Sequence, residues 1–261
     1  MLAEHGRLFL NIKLSNMKNF NIDQEKGRIE FIDTRFYGTS DGGYVPSVTT
    51  ILEAYPKDAS YFKWLKDVGG DADAIRDEAG RRGSLVHELT ERYDSGDEVS
   101  YIDENGRPKY KMLEWSMFER YVDFTENHKP KIDMIEVHMV SSELGYAGTL
   151  DRILNIDGKT YLVDIKTSGS IYPSYWLQLA AYRELLAKGG VIVDEVAILW
   201  LNAKTRTRGK KGDIQGVGWQ FVSKEDTTQE IKLFNATYEL WKSINDDIKP
   251  KQFSYQLTHK K

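Results

Sequence analysis

The chain of 261 residues contains no cysteine. Disulfides, cysteine zinc sites and iron–sulfur clusters are excluded on that ground, and the absence fits a reducing cytoplasm. No apolar run approaches the ~20 residues that a membrane span needs. The first residues offer only the patch "LFLNI" after Glu4 and are poor in arginine, so neither a signal peptide nor a mitochondrial presequence is expected. Positive charge is not in surplus either: 36 Lys and Arg against 40 Asp and Glu leave a net charge of −4, which does not advertise a nucleic-acid binder. No internal repeat and no low-complexity linker divides the chain.

What is present describes a globular protein. The apolar fraction is 40%, and 15 tyrosines and 6 tryptophans provide for a substantial core. Charge is unevenly placed. Acids concentrate in residues 71–104, whereas "KTRTRGKKG" (204–212) carries five bases and no acid. An enzyme that grips a polyanion through one local patch can be acidic overall.

Periodicity divides the chain into two parts. Residues 28–46 alternate and turn, which predicts a small hairpin ending at Pro46. "PSVTTILEAY" then reads as a short helix capped by Ser47 or Thr49. Helices are expected over about 58–68 and 71–94, followed by a polar loop over 95–108. Residues 109–127 predict an amphipathic helix with Met112, Trp115, Phe118, Tyr121 and Val122 on one face. Three strands follow, over 131–140, 146–156 and 160–167. A helix over 173–188, a strand over 195–202, a basic loop, a strand over 216–222 and a closing helix over 224–247 complete the pattern. The expected fold is a mixed α/β domain with an αβββαβ core and an N-terminal helical elaboration. It would be a single domain over 1–261, divided into a hairpin and helical region over 1–108 and the core with the closing helix over 109–261.

The strands carry acids where burial should be costly. Asp151 sits among Leu150, Ile153 and Leu154, and Asp164 lies between Val163 and Ile165. A two-residue turn at Asp157-Gly158 pairs Ile156 with Lys159, and that register brings Asp151 opposite Asp164. Like charges so placed destabilise a sheet. Lys166, two residues beyond Asp164, projects from the same face. On these residues alone two readings stand. In one, a divalent ion such as Mg²⁺ or Mn²⁺ compensates the acids and Lys166 orients or helps deprotonate a water, or stabilises charge on phosphorus. In the other, one aspartate meets solvent while Lys166 pairs with its neighbour.

The motifs "GTLD" (148–151), "DIKT" (164–167) and "QLAAY" (178–182) resemble the PD-(D/E)XK nuclease superfamily, in its RecB-like branch. "RRGSLVHEL" (81–89) is similar to that branch's helical histidine motif. "PSVTTIL" (46–52) resembles the N-terminal region of phage exonucleases and of the mitochondrial genome maintenance exonuclease. The resemblance implies a restriction-endonuclease-like core. It also implies that Asp151 and Asp164 ligate metal, with the Ile165 carbonyl as a further ligand, and that Lys166 is the catalytic lysine. His87 would ligate or position a second metal, and Gly83, one turn earlier, suits close helix packing. Glu136, preceding the GTLD strand, is expected as an additional ligand or as a surface carboxylate. Thr167, Gln178 and Tyr182 are expected toward nucleic acid, the last two sharing a helix face at i,i+4. Lys204, Arg206, Arg208, Lys210 and Lys211 would contact phosphates. His138 is read as structural, and His5, His128 and His259 are assigned no chemistry.

Some RecB-like relatives hold an iron–sulfur cluster with four cysteines, a pattern from which this chain departs. The implied activity is Mg²⁺- or Mn²⁺-dependent cleavage of DNA from free ends in phage, recombination or repair metabolism. The substrate would be single strands or end-containing duplex, the setting the cytoplasm (that of the host for a phage protein) and a further partner a recombination or single-strand-binding protein. The alternatives are a structure-specific DNA endonuclease and a non-catalytic DNA-binding recombination module.

Overall fold

The computed structural model describes residues 20–23, 28–33, 35–202, 218–246, 248–256 and 258–260. Its centre is a five-stranded sheet in the order β5-β6-β7-β8-β9, built from Lys131–Ser141, Tyr146–Ile156, Lys159–Lys166, Glu195–Trp200 and Gln220–Lys224. β7 and β8 run parallel, and the other neighbours are antiparallel. A parallel pair needs a long crossover, which α5 (Pro173–Lys188) supplies.

Both faces of the sheet are covered, so the central strands read as nearly unbroken apolar runs rather than as alternation. On one face Ile153, Leu162, Val196 and Ile198 pack against Leu177 and Leu185 of α5 and against Phe234 and Trp241 of α6 (Thr228–Ile244). On the other, Leu154, Val163, Ile165, Ala197 and Leu199 meet Val86 of α3 (Ala72–Asp94) and Met117, Tyr121 and Phe124 of α4 (Met112–His128). Burying each such large apolar side chain stabilises the fold by roughly 1.5–3 kcal/mol. The two helical layers approach the sheet from opposite sides at the C-terminal end of β7.

The turn between β6 and β7 forms as its dipeptide dictates. Asp157 and Gly158 have φ of 51° and 84°, the pair of positive values that a tight type I′ hairpin turn requires. The register runs from Ile156–Lys159 to Arg152–Val163. It stops there, one step short of Asp151 and Asp164. Beyond that point β7 stays paired with β8, through Asp164–Ile198, Ile165–Leu199 and Lys166–Trp200. β6 stays paired with β5 through Val137–Leu150. The sheet therefore forks at the two aspartates.

Four elements differ from the sequence-based expectation. First, α4 does not present Met112, which is 69% exposed; its inner face is Glu114, Met117, Phe118, Tyr121 and Phe124. Glu114 is turned inward because it accepts from the Lys111 amide at 2.7 Å and pairs with Arg81 of α3. Trp115 packs on Tyr101 and Tyr110 of the preceding loop. Second, residues 28–46 do not form one hairpin. β3 (Phe36–Gly38) pairs with β4 (Tyr44–Pro46), while β2 (Arg28–Ile32) lies between β1 (Phe20–Asp23) and β10 (Gln252–Gln256). β10 follows the helix expected to close the fold. Third, that helix is shorter than expected, beginning at Thr228 after β9. Fourth, β5, expected as a plain strand over 131–140, is irregular: its register shifts between Ile132 and Met134, and Glu136 has φ of 46°.

Short α1 (Val48–Ile51) is capped by Ser47, whose hydroxyl accepts from the Thr50 amide at 3.1 Å. α2 (Ala59–Val68) is capped by Asp58, which accepts from the Tyr61 amide at 2.9 Å. Among the described residues no helix is long and apolar enough to cross a membrane.

Candidate active site

The site is assembled at the fork from three strands and two helices. Asp151, freed from ladder pairing, accepts from the Ile165 amide through Oδ2 at 2.7 Å. This bond replaces the missing rung and leaves Oδ1 directed at α3. His87 of α3 meets it there, with Nδ1 at 3.5 Å from Asp151 Oδ1 and 3.9 Å from Glu136 Oε1. One ligand atom from each of His87, Glu136 and Asp151 lies within 4.8 Å of the others. Glu136 reaches this position through its left-handed backbone, a conformation that costs a non-glycine residue about 1–2 kcal/mol. Such strain concentrates at functional sites.

His87 is oriented by the strand beneath it. Its Nε2 stands 2.9 Å from the Ile165 carbonyl oxygen. A carbonyl can only accept, so Nε2 carries the proton and Nδ1 is the nitrogen that faces the acids. Burial works against charging the ring, but Asp151 and Glu136 outweigh it and lift the pKa from 6.5 to about 9. The Ile165 carbonyl, expected as a metal ligand, thus has one lone pair engaged in holding His87.

Asp164 lies beside this trio and is 3% exposed. Burial, reinforced by Asp151, raises its pKa against the opposing pull of Lys166 and His87. Lys166 Nζ stands 2.7 Å from Asp164 Oδ2, donates to Gln178 Oε1 at 3.2 Å and lies over the Tyr175 ring at 4.5 Å. Burial opposes its charge, but Asp164 and Asp151 raise its pKa above the ordinary lysine value, so it is an ammonium at neutral pH. The direct opposition of Asp151 and Asp164 read from the hairpin does not form, because the ladder ends at Arg152–Val163; the Asp151 carboxylate instead bonds the Ile165 amide, next to Asp164 in the chain. The two aspartates divide the labour: Asp151 faces His87 and Glu136, and Asp164 faces Lys166.

The residues expected toward nucleic acid are enclosed: Thr167, Gln178 and Tyr182 are 8%, 8% and 5% exposed. Each has a place within the protein. Gln178 bridges Lys166 and Tyr182, donating to the Tyr182 hydroxyl at 3.2 Å. Tyr182 lies across Gly148, where an added Cβ would fall 2.2 Å from its Cε1. The glycine of the GTLD motif is thereby explained by contact with the tyrosine of the QLAAY motif. Thr167 packs at Gly83, where a Cβ would meet its Oγ1 at 3.4 Å. Lys204, Arg206, Arg208, Lys210 and Lys211 lie outside the described residues. His138 joins Thr149, with 2.7 Å between Nδ1 and Oγ1, and Thr149 in turn meets the Tyr37 hydroxyl at 3.0 Å. His128 packs among Phe124, Trp219 and Phe221.

Sequence reasoning missed two supporting residues. Tyr175 carries no pattern of its own. Arg152 did leave a signal, as a charge in a strand buried on both faces, which demands a buried partner.

The trio offers one imidazole nitrogen and two carboxylates with a surplus of negative charge, a donor set that fits a hard to borderline divalent cation. The family model of the PD-(D/E)XK nuclease superfamily matches residues 58–254. A search of curated proteins finds no match. Among solved structures, an alkaline exonuclease (LHK-Exo) from Laribacter hongkongensis is similar at 11% identity and a TM-score of 0.37, over 77% of this chain and 87% of that one. The crystal structure of SSO0001 is similar at 16% identity and a TM-score of 0.26, over 48% of this chain and 56% of that one. The match to SSO0001 thus spans little more than half of that protein's length.

Proposed function

Because the chain belongs to the PD-(D/E)XK nuclease superfamily, we propose that it is a metal-dependent deoxyribonuclease hydrolysing phosphodiester bonds from free DNA ends. The observation that carries the reading is the convergence of His87, Glu136 and Asp151 within 4.8 Å at the fork, with Lys166 beside them on Asp164. A pure binding module has no use for clustered carboxylates facing a polyanion.

His87 Nδ1, Glu136 and Asp151 would hold Mg²⁺ or Mn²⁺, which when bound supplies Lewis acidity toward the scissile phosphate and its leaving oxygen. The chain's own groups do the rest. Asp151, tied to the Ile165 amide through Oδ2, keeps its other carboxylate oxygen toward His87 and Glu136, where the cation would be held. Lys166 remains protonated and acts as a donor, orienting the attacking water and stabilising charge on a non-bridging oxygen. Gln178 and Tyr175 hold that ammonium in place. Asp164, itself buried, keeps Lys166 charged against the cost of its partial burial.

Action on ends, and a role in phage, recombination or repair metabolism, rest on the likeness of residues 46–52 to phage exonucleases. The basic stretch 204–212 is proposed to grip the backbone. The test compares end-labelled linear and covalently closed DNA, single- and double-stranded, with Mg²⁺ or Mn²⁺. Loss of label from linear DNA with circles intact is expected. Cleavage of circles would overturn the requirement for ends, and no loss of any DNA would overturn catalysis.

A further inference from the structure

Arg152 has no place in the reaction above, yet its side chain is fully buried beneath the site. It follows Asp151 directly on β6 and projects toward α3 and α4. Its Nε donates to Asp94 Oδ2 at 2.6 Å, its Nη2 to Thr90 Oγ1 at 3.2 Å and its Nη1 to the Asp151 carbonyl at 2.8 Å. Nη1 also stands 3.5 Å from Glu136 Oε1. His87, Thr90 and Asp94 are spaced i, i+3, i+7, which puts them along one face of α3. One guanidinium therefore touches the helix that carries His87, the backbone of Asp151 and the carboxylate of Glu136.

We propose that Arg152 is a positioning residue that sets the spacing of His87, Glu136 and Asp151 for a divalent cation. This rests on the metal-site reading above. The role follows from geometry rather than from net charge, because Asp94, itself fully buried, neutralises the guanidinium. The planar fork joins the helix, through Nε and Nη2, to the two strands that carry Asp151 and Glu136, through Nη1. A lysine, with a single compact ammonium, cannot span the three. The Tyr121 hydroxyl also donates to Asp94, at 2.6 Å. That bond shares Asp94 Oδ2 with Arg152 Nε, so removing it loosens the Asp94 anchor and supplies a control that leaves the direct contacts of Arg152 to Asp151 and Glu136 in place.

The experiment measures Mn²⁺ binding by calorimetry and electron paramagnetic resonance, with thermal unfolding of the metal-free protein, in the full chain and in Arg152→Lys, Arg152→Met, Asp94→Asn and Tyr121→Phe. Both Arg152 variants are expected to bind Mn²⁺ at least tenfold more weakly while still unfolding cooperatively. Their DNA cleavage should recover in part as Mn²⁺ is raised. Tyr121→Phe should unfold at lower temperature with its Mn²⁺ affinity unchanged. If Arg152→Met does not fold, Arg152→Lys and Asp94→Asn carry the same comparison. Unchanged Mn²⁺ affinity in folded Arg152→Lys overturns the positioning role and leaves the metal site standing. A wild-type chain that binds neither Mn²⁺ nor Mg²⁺ overturns the metal-site reading, and this proposal with it.

Discussion

His87 Nε2 donates to the Ile165 carbonyl at 2.9 Å, and this one bond decides which ring nitrogen faces Asp151 and Glu136. Ile165 also gives its amide to Asp151. A single residue of β7 thus orients two prospective ligands, one through its carbonyl and one through its amide. Its own side chain serves the core beneath. The geometry of the site is in this sense carried by main-chain groups of an apolar residue.

Metal binding should release a proton from His87. With its pKa lifted to about 9 by the two carboxylates against burial, the metal-free ring is an imidazolium at neutral pH. Ligation requires the neutral ring, so about one proton should leave per site near pH 7.5. Calorimetry in buffers of different ionisation enthalpy measures this. His87→Gln should bind metal more weakly and lose the release, and equal release in that variant would contradict the assignment.

The same raised pKa gives the metal-free protein a pH-dependent stability. A folded value above the unfolded one means that the stabilisation is complete below about pH 6.5 and is lost as pH rises through about 9. Denaturation across that window should show the decline in the metal-free wild type, and His87→Gln should flatten it.

Lys166→Ala should reduce cleavage by at least about 100-fold, since removal of one preorganised donor costs that much in comparable sites. Mn²⁺ affinity should fall far less than activity, because Lys166 lies on Asp164 rather than within the His87, Glu136 and Asp151 trio. Single-turnover rates at saturating metal separate the two effects. An active variant would remove Lys166 from the mechanism.

Gly148→Ala should be destabilising by about 1–3 kcal/mol through overpacking, because the new methyl would fall 2.2 Å from a Tyr182 ring carbon. Tyr182→Phe keeps that carbon and should not rescue it, whereas Tyr182→Leu should relieve the clash in part. Urea unfolding of the single and double variants gives the coupling.

Glu136 provides a test of backbone strain. With φ at 46°, Glu136→Gly should be more stable than Glu136→Ala by about 1 kcal/mol, the reverse of the order expected in an ordinary strand. Both variants should bind Mn²⁺ more weakly. A more stable alanine variant would show that the strain is absent.

Much of this was legible in the residue order. The Asp157-Gly158 turn requires two positive φ values, and its two-residue length sets a register that brings Asp151 toward Asp164 without any knowledge of the rest of the chain. The order of the residues likewise placed α3, α5 and the strands β5, β6 and β7 close to where they form, since turns and local conformations are set by sterics over a few neighbouring residues. The inner face of α4 was misread because it is chosen by Glu114, whose partner Arg81 lies 33 positions away. β10 was missed because Gln252–Gln256 forms a strand only where β2 offers it an edge.

The sequence by itself determined the local conformations and the hairpin register as far as Arg152–Val163, because each follows from short-range geometry. Only the tertiary structure decided that the ladder ends at Arg152–Val163, that His87 and Glu136 complete a trio with Asp151, and that Arg152 lies beneath them. Those relationships join elements up to 65 residues apart, from His87 to Arg152. They exist only when α3 and α4 pack on one face of the sheet and α5 on the other, and the burial of those faces brings polar groups together that no local pattern pairs.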